Sequence, residues 1–339
     1  MNDARMQVSK FHRRWFWIGL KFAIAVILFY LLASQGKLDL RAFLQVFQYP
    51  FIPVLIIGIN FFAATLTAWR WYLLLVCQKV PISFFRAVQI TYIGIFFNIF
   101  LPGGGLGGDA LRMAYVVRAS PFCRGAGILS IFTDRVVGLY SLFLFCFVSA
   151  LFNITWVLNN ASLFFLALAA ALISLGTPLA LMGIYWVLLR YPGLIHGLAK
   201  RSSWLGRGIH ALLEAIHAYR QSGWRMLLLM LVSMAGQVLG IVGITLVGWS
   251  MGVHILSFQE YAFVTPWTWI ANILPLTPGG MGVGEAAFDQ ICQWVTKSES
   301  DIAYGTIFFV WRVLYMIGSL PGLVAYLFYR NDIIALPKS

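Results

Sequence analysis

Two acids in this sequence each close a run of proline and glycine. The first run reads Asn98-Ile-Phe-Leu-Pro102-Gly103-Gly104-Gly-Leu-Gly-Gly108-Asp109-Ala110. The second reads Asn272-Ile-Leu-Pro-Leu-Thr-Pro278-Gly279-Gly280-Met-Gly-Val-Gly284-Glu285-Ala286. Counted from Pro102 and Pro278, both have two glycines next, a glycine at +6, an acid at +7 and an alanine at +8, with the asparagine at −4 or −6. Arg135 follows Asp109 by 26 positions, and Arg312 follows Glu285 by 27. Glycines let backbone N–H groups approach a ligand, and a helix beginning there presents its positive end to an anion. The acid at each helix start either caps the helix or meets a proton or a cationic group, and one side chain can do both. Asp109, Glu285, Arg135, Arg312, Asn98, Asn272, Arg112 and Asp134 are therefore the candidate substrate-binding residues. Pro102, Gly103, Gly104, Gly108, Pro278, Gly279, Gly280 and Gly284 are the candidate backbone-shaping residues.

The elements that position them must be membrane helices. Of the 339 residues, 61% are apolar and 10% charged, where a soluble domain is nearer a quarter charged. A hydrocarbon core of about 30 Å takes about 20 helical residues. Six segments fit: Trp15–Ala33, Phe51–Val76, two within the charge-free stretch Val136–Leu189 that turns at Asn153, Asn159 and Asn160, Met226–Ser250 and Ile302–Tyr329. Ala87–Leu101 and Tyr261–Leu274 are apolar but too short, and each runs into one of the proline–glycine breaks. Broken backbone at membrane depth survives only where protein or a watery cavity satisfies it. The expectation is an all-α polytopic membrane protein of six spans plus two re-entrant hairpins, or eight if each hairpin counts as a span.

Three spans separate the two breaks, so the second copy is inverted relative to the first. The inverted repeats cover about 50–158 and 225–330 of a single membrane domain, 1–339. Between them an amphipathic helix over about 194–220 places Ile209, Leu212, Leu213 and Ile216 on one face and Arg207, His210, Glu214 and His217 on the other; it is read as lying on the cytoplasmic membrane surface. Inverted repeats with broken helices build many secondary transporters, with the substrate site near the midplane.

Charge sets orientation. With the N-terminus in the cytoplasm, seventeen basic residues from Arg5 to Lys338 lie inside and only Lys37, Arg41 and Lys297 outside, a strong positive-inside bias that makes both termini cytoplasmic. The net charge of +13 then points to anionic lipid as partner, not nucleic acid. Arg312 within a span is costly and so reads as functional. Asp134–Arg135 reads either that way or as an anchor at the interface. Arg70, between Trp69 and Trp71, reads as an interfacial anchor ahead of a substrate role.

Other patterns carry no chemistry. The four cysteines form no CxxC pair and read as small buried hydrophobes. His210 and His217 have no third ligand, so no metal and no cofactor is expected. Gly103 to Gly108 matches GxGxxG and Gly248 to Gly252 matches GxSxG, but neither has the strand context its chemistry needs.

The paired motifs, with Asp134-Arg135 and Gly138, resemble the lysylphosphatidylglycerol synthase transmembrane-region family, also called flippase-like, along essentially the whole chain. That family includes the membrane part of the multiple peptide resistance factor and the hopanoid-associated membrane proteins. The resemblance implies a multi-pass bacterial inner-membrane protein that moves or handles a lipid. The chain ends at Ser339 just after its last span, so the soluble aminoacyl-transferring domain is not expected. Three functions follow as alternatives. One is a lipid flippase whose polar path is lined by Asp109, Glu285, Arg135 and Arg312. One is a non-catalytic partner of an envelope lipid (hopanoid, aminoacyl-lipid) or polysaccharide pathway. One is a membrane-embedded headgroup enzyme, for which no nucleophile or metal set is visible. The lipid, its direction of movement, the energy coupling and the oligomeric state stay open.

Overall fold

A computed structural model describes residues 44–100, 106–190, 223–274, 276–296 and 303–329, with five isolated positions between 26 and 34. The expected span Trp15–Ala33, apart from those isolated positions, and the surface helix 194–220 lie outside the described residues. So do Pro102, Gly103 and Gly104 and both termini.

Among the described residues the chain is all-helical. We number the helices α1 Phe51–Cys77, α2 Phe84–Phe100, α3 Leu106–Ala119, α4 Arg124–Phe152, α5 Ile154–Leu158, α6 Ala161–Arg190, α7 Gly223–Ser250, α8 Phe258–Ile273, α9 Val283–Thr296, α10 Tyr304–Gly318 and α11 Leu320–Tyr329. Five stretches are long and apolar enough to cross a bilayer: Phe51–Cys77, Pro121–Phe152, Ala161–Gly183, Trp224–Ser250 and Tyr304–Tyr329. The protein is a multi-pass membrane protein. Its outer surface agrees: Phe51, Phe85, Phe152, Leu172, Leu179 and Phe328 are exposed, which is affordable only where the solvent is lipid.

Local sequence accounts for the breaks. Asn160 ends the turn after α5 and accepts hydrogen bonds from the Ser162 and Leu163 amides, starting α6. Ser257 and Glu260 form a reciprocal capping box at the start of α8, the S-x-x-E arrangement that satisfies two amides at a helix start. The last apolar stretch is not one helix. It is interrupted at Ser319, where Pro321 brings no N–H to the ladder.

Four short helices position the site. α2 packs along α3, and α8 along α9. At 17, 14, 16 and 14 residues, each is shorter than the roughly 30 Å that a straight crossing needs. One hydrophobic cluster holds the first set, with Trp71, Leu75, Ile90, Ile93, Val116 and Ile131 at its centre. Another holds the second, around Tyr261, Phe263, Phe288 and Phe308. α1 and α7 run antiparallel between them: Arg70 meets Ser233, Ala63 faces Gly236 and Ile56 faces Gly243.

Candidate functional site

The two clusters leave a cavity of about 600 Å³ between α1, α2, α3, α4, α7, α8 and α10. Asn98, Asp109, Arg112, Asp134 and Arg135 line it from one side, Asn272, Gly279 and Arg312 from the other, and Arg70 from α1. The turn of the second motif reaches across to the first: a Cβ at Gly279 would lie 2.6 Å from the Ile99 carbonyl oxygen. Gly279 also has φ +58 and Gly280 φ +69, backbone that glycine adopts at little cost. Only glycine fits the Gly279 position on both counts.

Every charge in the cavity wall is partnered. Asp109, in the first turn of α3, receives a two-pronged bond from Arg135, Nε at 2.6 Å and Nη2 at 2.8 Å. Arg112 reaches Asp109 at 3.3 Å and Asp134 at 3.2 Å, and its guanidinium lies over the Trp71 ring. Arg70 donates to Asp134 at 2.9 Å and to Ser233 at 2.7 Å. The result is a continuous chain, Arg135–Asp109–Arg112–Asp134–Arg70–Ser233. Within a low-dielectric interior such charges persist only when paired and hydrogen-bonded.

The second centre is compact. Arg312 donates to Glu285 through Nε at 2.7 Å and Nη2 at 3.1 Å. It also donates to the Gly279 carbonyl at 2.6 Å, the Asn272 side chain at 3.0 Å and the Gly280 carbonyl at 3.2 Å. Glu285 meanwhile accepts from the Gly282 amide at 2.8 Å at the start of α9, so it caps the helix and holds the arginine together. Asp109 differs: its hydrogen-bonded partners among the described residues are arginines, and the Gly108 amide is taken by Asn98 at 2.7 Å.

Several expectations need correction. Arg70 is no interfacial anchor; it is buried and faces the cavity. The interfacial alternative for Asp134 fails likewise, since Asp134 is 1% exposed and bridges two arginines. Glu285 does not line the cavity: it is 0% exposed and bonded to Arg312, which does. Gly108 and Gly284, two of the backbone-shaping candidates, lie inside helix starts and have no positive φ. Their small size matters instead. A Cβ on Gly108 would collide with the Gly94 carbonyl, and one on Gly284 with Phe308 and Arg312.

Gly108→Ala and Gly284→Ala are therefore expected to destabilise by about 1–3 kcal/mol or more through overpacking. Gly125→Ala, with nothing within 4 Å, should stay within about 0.5 kcal/mol. Thermal unfolding of the purified variants in detergent checks the contrast, and equal behaviour of Gly108→Ala and Gly125→Ala would contradict the packing.

The chemistry available follows from the charges. Four arginines, Arg70, Arg112, Arg135 and Arg312, face three acids, Asp109, Asp134 and Glu285, so the site carries one positive charge beyond its internal pairs. Arg135 is the accessible member, with its side chain 51% exposed against 7% for Arg312. Its planar fork suits a phosphate. Among the described residues no three His, Cys, Asp or Glu side chains gather in a metal-holding group.

Against known proteins, the model of one family, described as Lysylphosphatidylglycerol synthase TM region, matches residues 16–325. Neither the curated proteins nor the solved structures compared contain a match.

Proposed function

The chain belongs to the lysylphosphatidylglycerol synthase transmembrane-region family, and from that premise we propose that it carries a phosphate-bearing lipid headgroup across the bacterial inner membrane through its arginine-lined cavity. The observation that supports this most is the net positive charge of the described site residues, all of them paired, with Arg135 held by Asp109 yet open to the cavity. A lipid phosphate entering there would share Arg135 with Asp109, and Arg112 would keep Asp109 partnered while it does. No bond needs to break for this function, so the reading is of a carrier, not an enzyme.

In this reading α2–α3 and α8–α9 are two re-entrant hairpins belonging to inverted repeats, entering from opposite faces and meeting at Ile99 and Gly279. The matched acid–arginine pairs support the equivalence: Asp109 with Arg135, Glu285 with Arg312. Helix starts built on glycine at the middle of the bilayer suit anions. Both termini are cytoplasmic, on the strength of the positive-inside bias, and anionic lipids and envelope-pathway proteins are the partners.

The test is lipid identification by mass spectrometry on protein purified without delipidation. A phosphate-bearing lipid should co-purify near one per chain, and Arg135→Gln should reduce it about tenfold or more, since bonds to charged groups contribute about 1.5–3 kcal/mol. A neutral lipid at that stoichiometry, or equal retention by the variant, would remove the phosphate from the reading. Full activity of an envelope pathway with no lipid bound would favour the pathway-partner role.

A further inference from the structure

Beside the arginines the cavity has an uncharged, hydrogen-bonding end. Asn60, Thr91 and Gln237 line the cavity and are buried at 3%, 1% and 8% exposure. Trp269 lines it too. Each has a buried polar atom with no hydrogen-bond partner among the described residues: the Asn60 amide nitrogen, the Thr91 hydroxyl, the Gln237 amide oxygen and the Trp269 indole nitrogen. Unmade hydrogen bonds of this kind cost about 1–3 kcal/mol apiece when the group stays dry. Arg112 Nε and the Trp311 indole nitrogen bring the cavity-lining residues with such an atom to six, more than a packed interior keeps without reason.

Asn60, Gln237 and Trp269 lie apart from the phosphate end, whereas Thr91 sits one turn from Gly94, where a Cβ would lie 2.6 Å from Arg112 Cδ. On α1, Asn60 lies ten residues before Arg70 on the cavity face, about 15 Å along the helix. On the antiparallel α7, Gln237 lies one turn beyond Ser233, the residue that Arg70 contacts. The Trp269 ring packs over Gly240, a further turn on. Gly240 gives that ring its seat, since a Cβ there would lie 2.7 Å from the ring.

The unmet groups are of both kinds. The Asn60 nitrogen and the indole nitrogen donate, the Gln237 oxygen accepts, and the Thr91 hydroxyl does either. A quaternary ammonium satisfies none of the donors and a primary ammonium only the acceptors. Hydroxyl groups satisfy both. We propose that the Asn60, Gln237 and Trp269 end of the cavity receives a hydroxyl-rich group, a sugar or polyol, attached to the lipid phosphate that the arginine end holds, with Thr91 between the two ends. This deepens the lipid-carrier reading and rests on it.

Binding to the purified full chain tests it, using short-chain phosphatidylinositol, phosphatidic acid and phosphatidylcholine as probes, with free inositol phosphate as competitor. Phosphatidylinositol should bind about tenfold or more tighter than phosphatidic acid, and phosphatidylcholine weakest. Asn60→Leu and Gln237→Leu should each bring phosphatidylinositol down to the level of phosphatidic acid, about a tenfold loss, with phosphatidic acid binding unchanged as proof of folding. Arg135→Gln should weaken both anionic lipids together. If the wild type binds phosphatidylinositol and phosphatidic acid equally while Arg135→Gln still weakens both, the hydroxyl end is overturned and the phosphate carrier stands. If free inositol phosphate competes as well as its lipid, the ligand is not a lipid and the proposal fails on that side. If no probe binds, the lipid reading falls and this proposal with it.

Discussion

Arg312→Gln is expected to unfold or nearly unfold the protein, and Arg312→Gln together with Glu285→Gln to recover much of the loss. Glu285 is 0% exposed and its charge is balanced by Arg312. Removing one member of a buried pair leaves an uncompensated charge and costs about 3–5 kcal/mol. A domain has about 5–15 kcal/mol in total. Arg312 also ties together Gly279, Gly280 and Asn272, so the second glycine turn loses its brace. The double variant removes the orphan charge while glutamine still offers the Gly282 amide an oxygen. Folded yield and thermal unfolding in detergent read the result. Additive losses in the double variant would mean that the pair is not the source of the stability.

The reciprocal change is milder. Glu285→Gln alone leaves Arg312 with two carbonyls and the Asn272 side chain, so its loss should be the smaller one. Neutralising Glu285 or Arg312 therefore differs in consequence from neutralising Arg135. Burial separates them: Glu285 and Arg312 brace the turn, while Arg135 faces the cavity.

Arg135→Gln is the second large effect, and it should fall on function with the fold intact. Half of the Arg135 side chain is exposed, and Asp109 keeps Arg112 as a partner when Arg135 is gone. Discounted for that exposure, the lost pair should cost about 1 kcal/mol or less. A lipid phosphate, however, loses the one guanidinium it can reach as a fork. The expected outcome is a translocation rate about 10- to 100-fold lower in reconstituted vesicles, with thermal unfolding within a few degrees of the wild type. Loss of fold at Arg135 would mean that it is a structural arginine like Arg312.

The matching offsets of acid and arginine, 26 and 27, were legible in the sequence, whereas the binding of each acid to its own arginine depends on how the helices pack and was not. The two short apolar segments were legible from length alone, and α2 and α8 fall within a few residues of them. Arg70 was not. α1 is apolar all round, so the sequence contains no stripe from which to read its inward phase, and the flanking tryptophans imitate an interface belt. The bridging of Arg70 and Arg112 by Asp134 was hidden too, since it depends on how α1, α3 and α4 pack. Gln237 was a missed signal, a lone amide in the middle of an apolar span, visible by the same rule that singled out Arg312. Gly108 and Gly284 stand out in the sequence as backbone-shaping candidates, but the close approach of packed elements that each permits is visible only in the fold.

The central claim is that the cavity moves a lipid, and the most direct measurement is headgroup movement in proteoliposomes. Fluorescent phosphatidylinositol or phosphatidic acid is placed in both leaflets, and a membrane-impermeant reductant bleaches the outer one. Vesicles with the wild-type protein should lose nearly all fluorescence, and vesicles with Arg135→Gln or no protein only about half. A wild-type protein that leaves the inner leaflet as protected as empty vesicles do, under every lipid and gradient tried, would contradict the account.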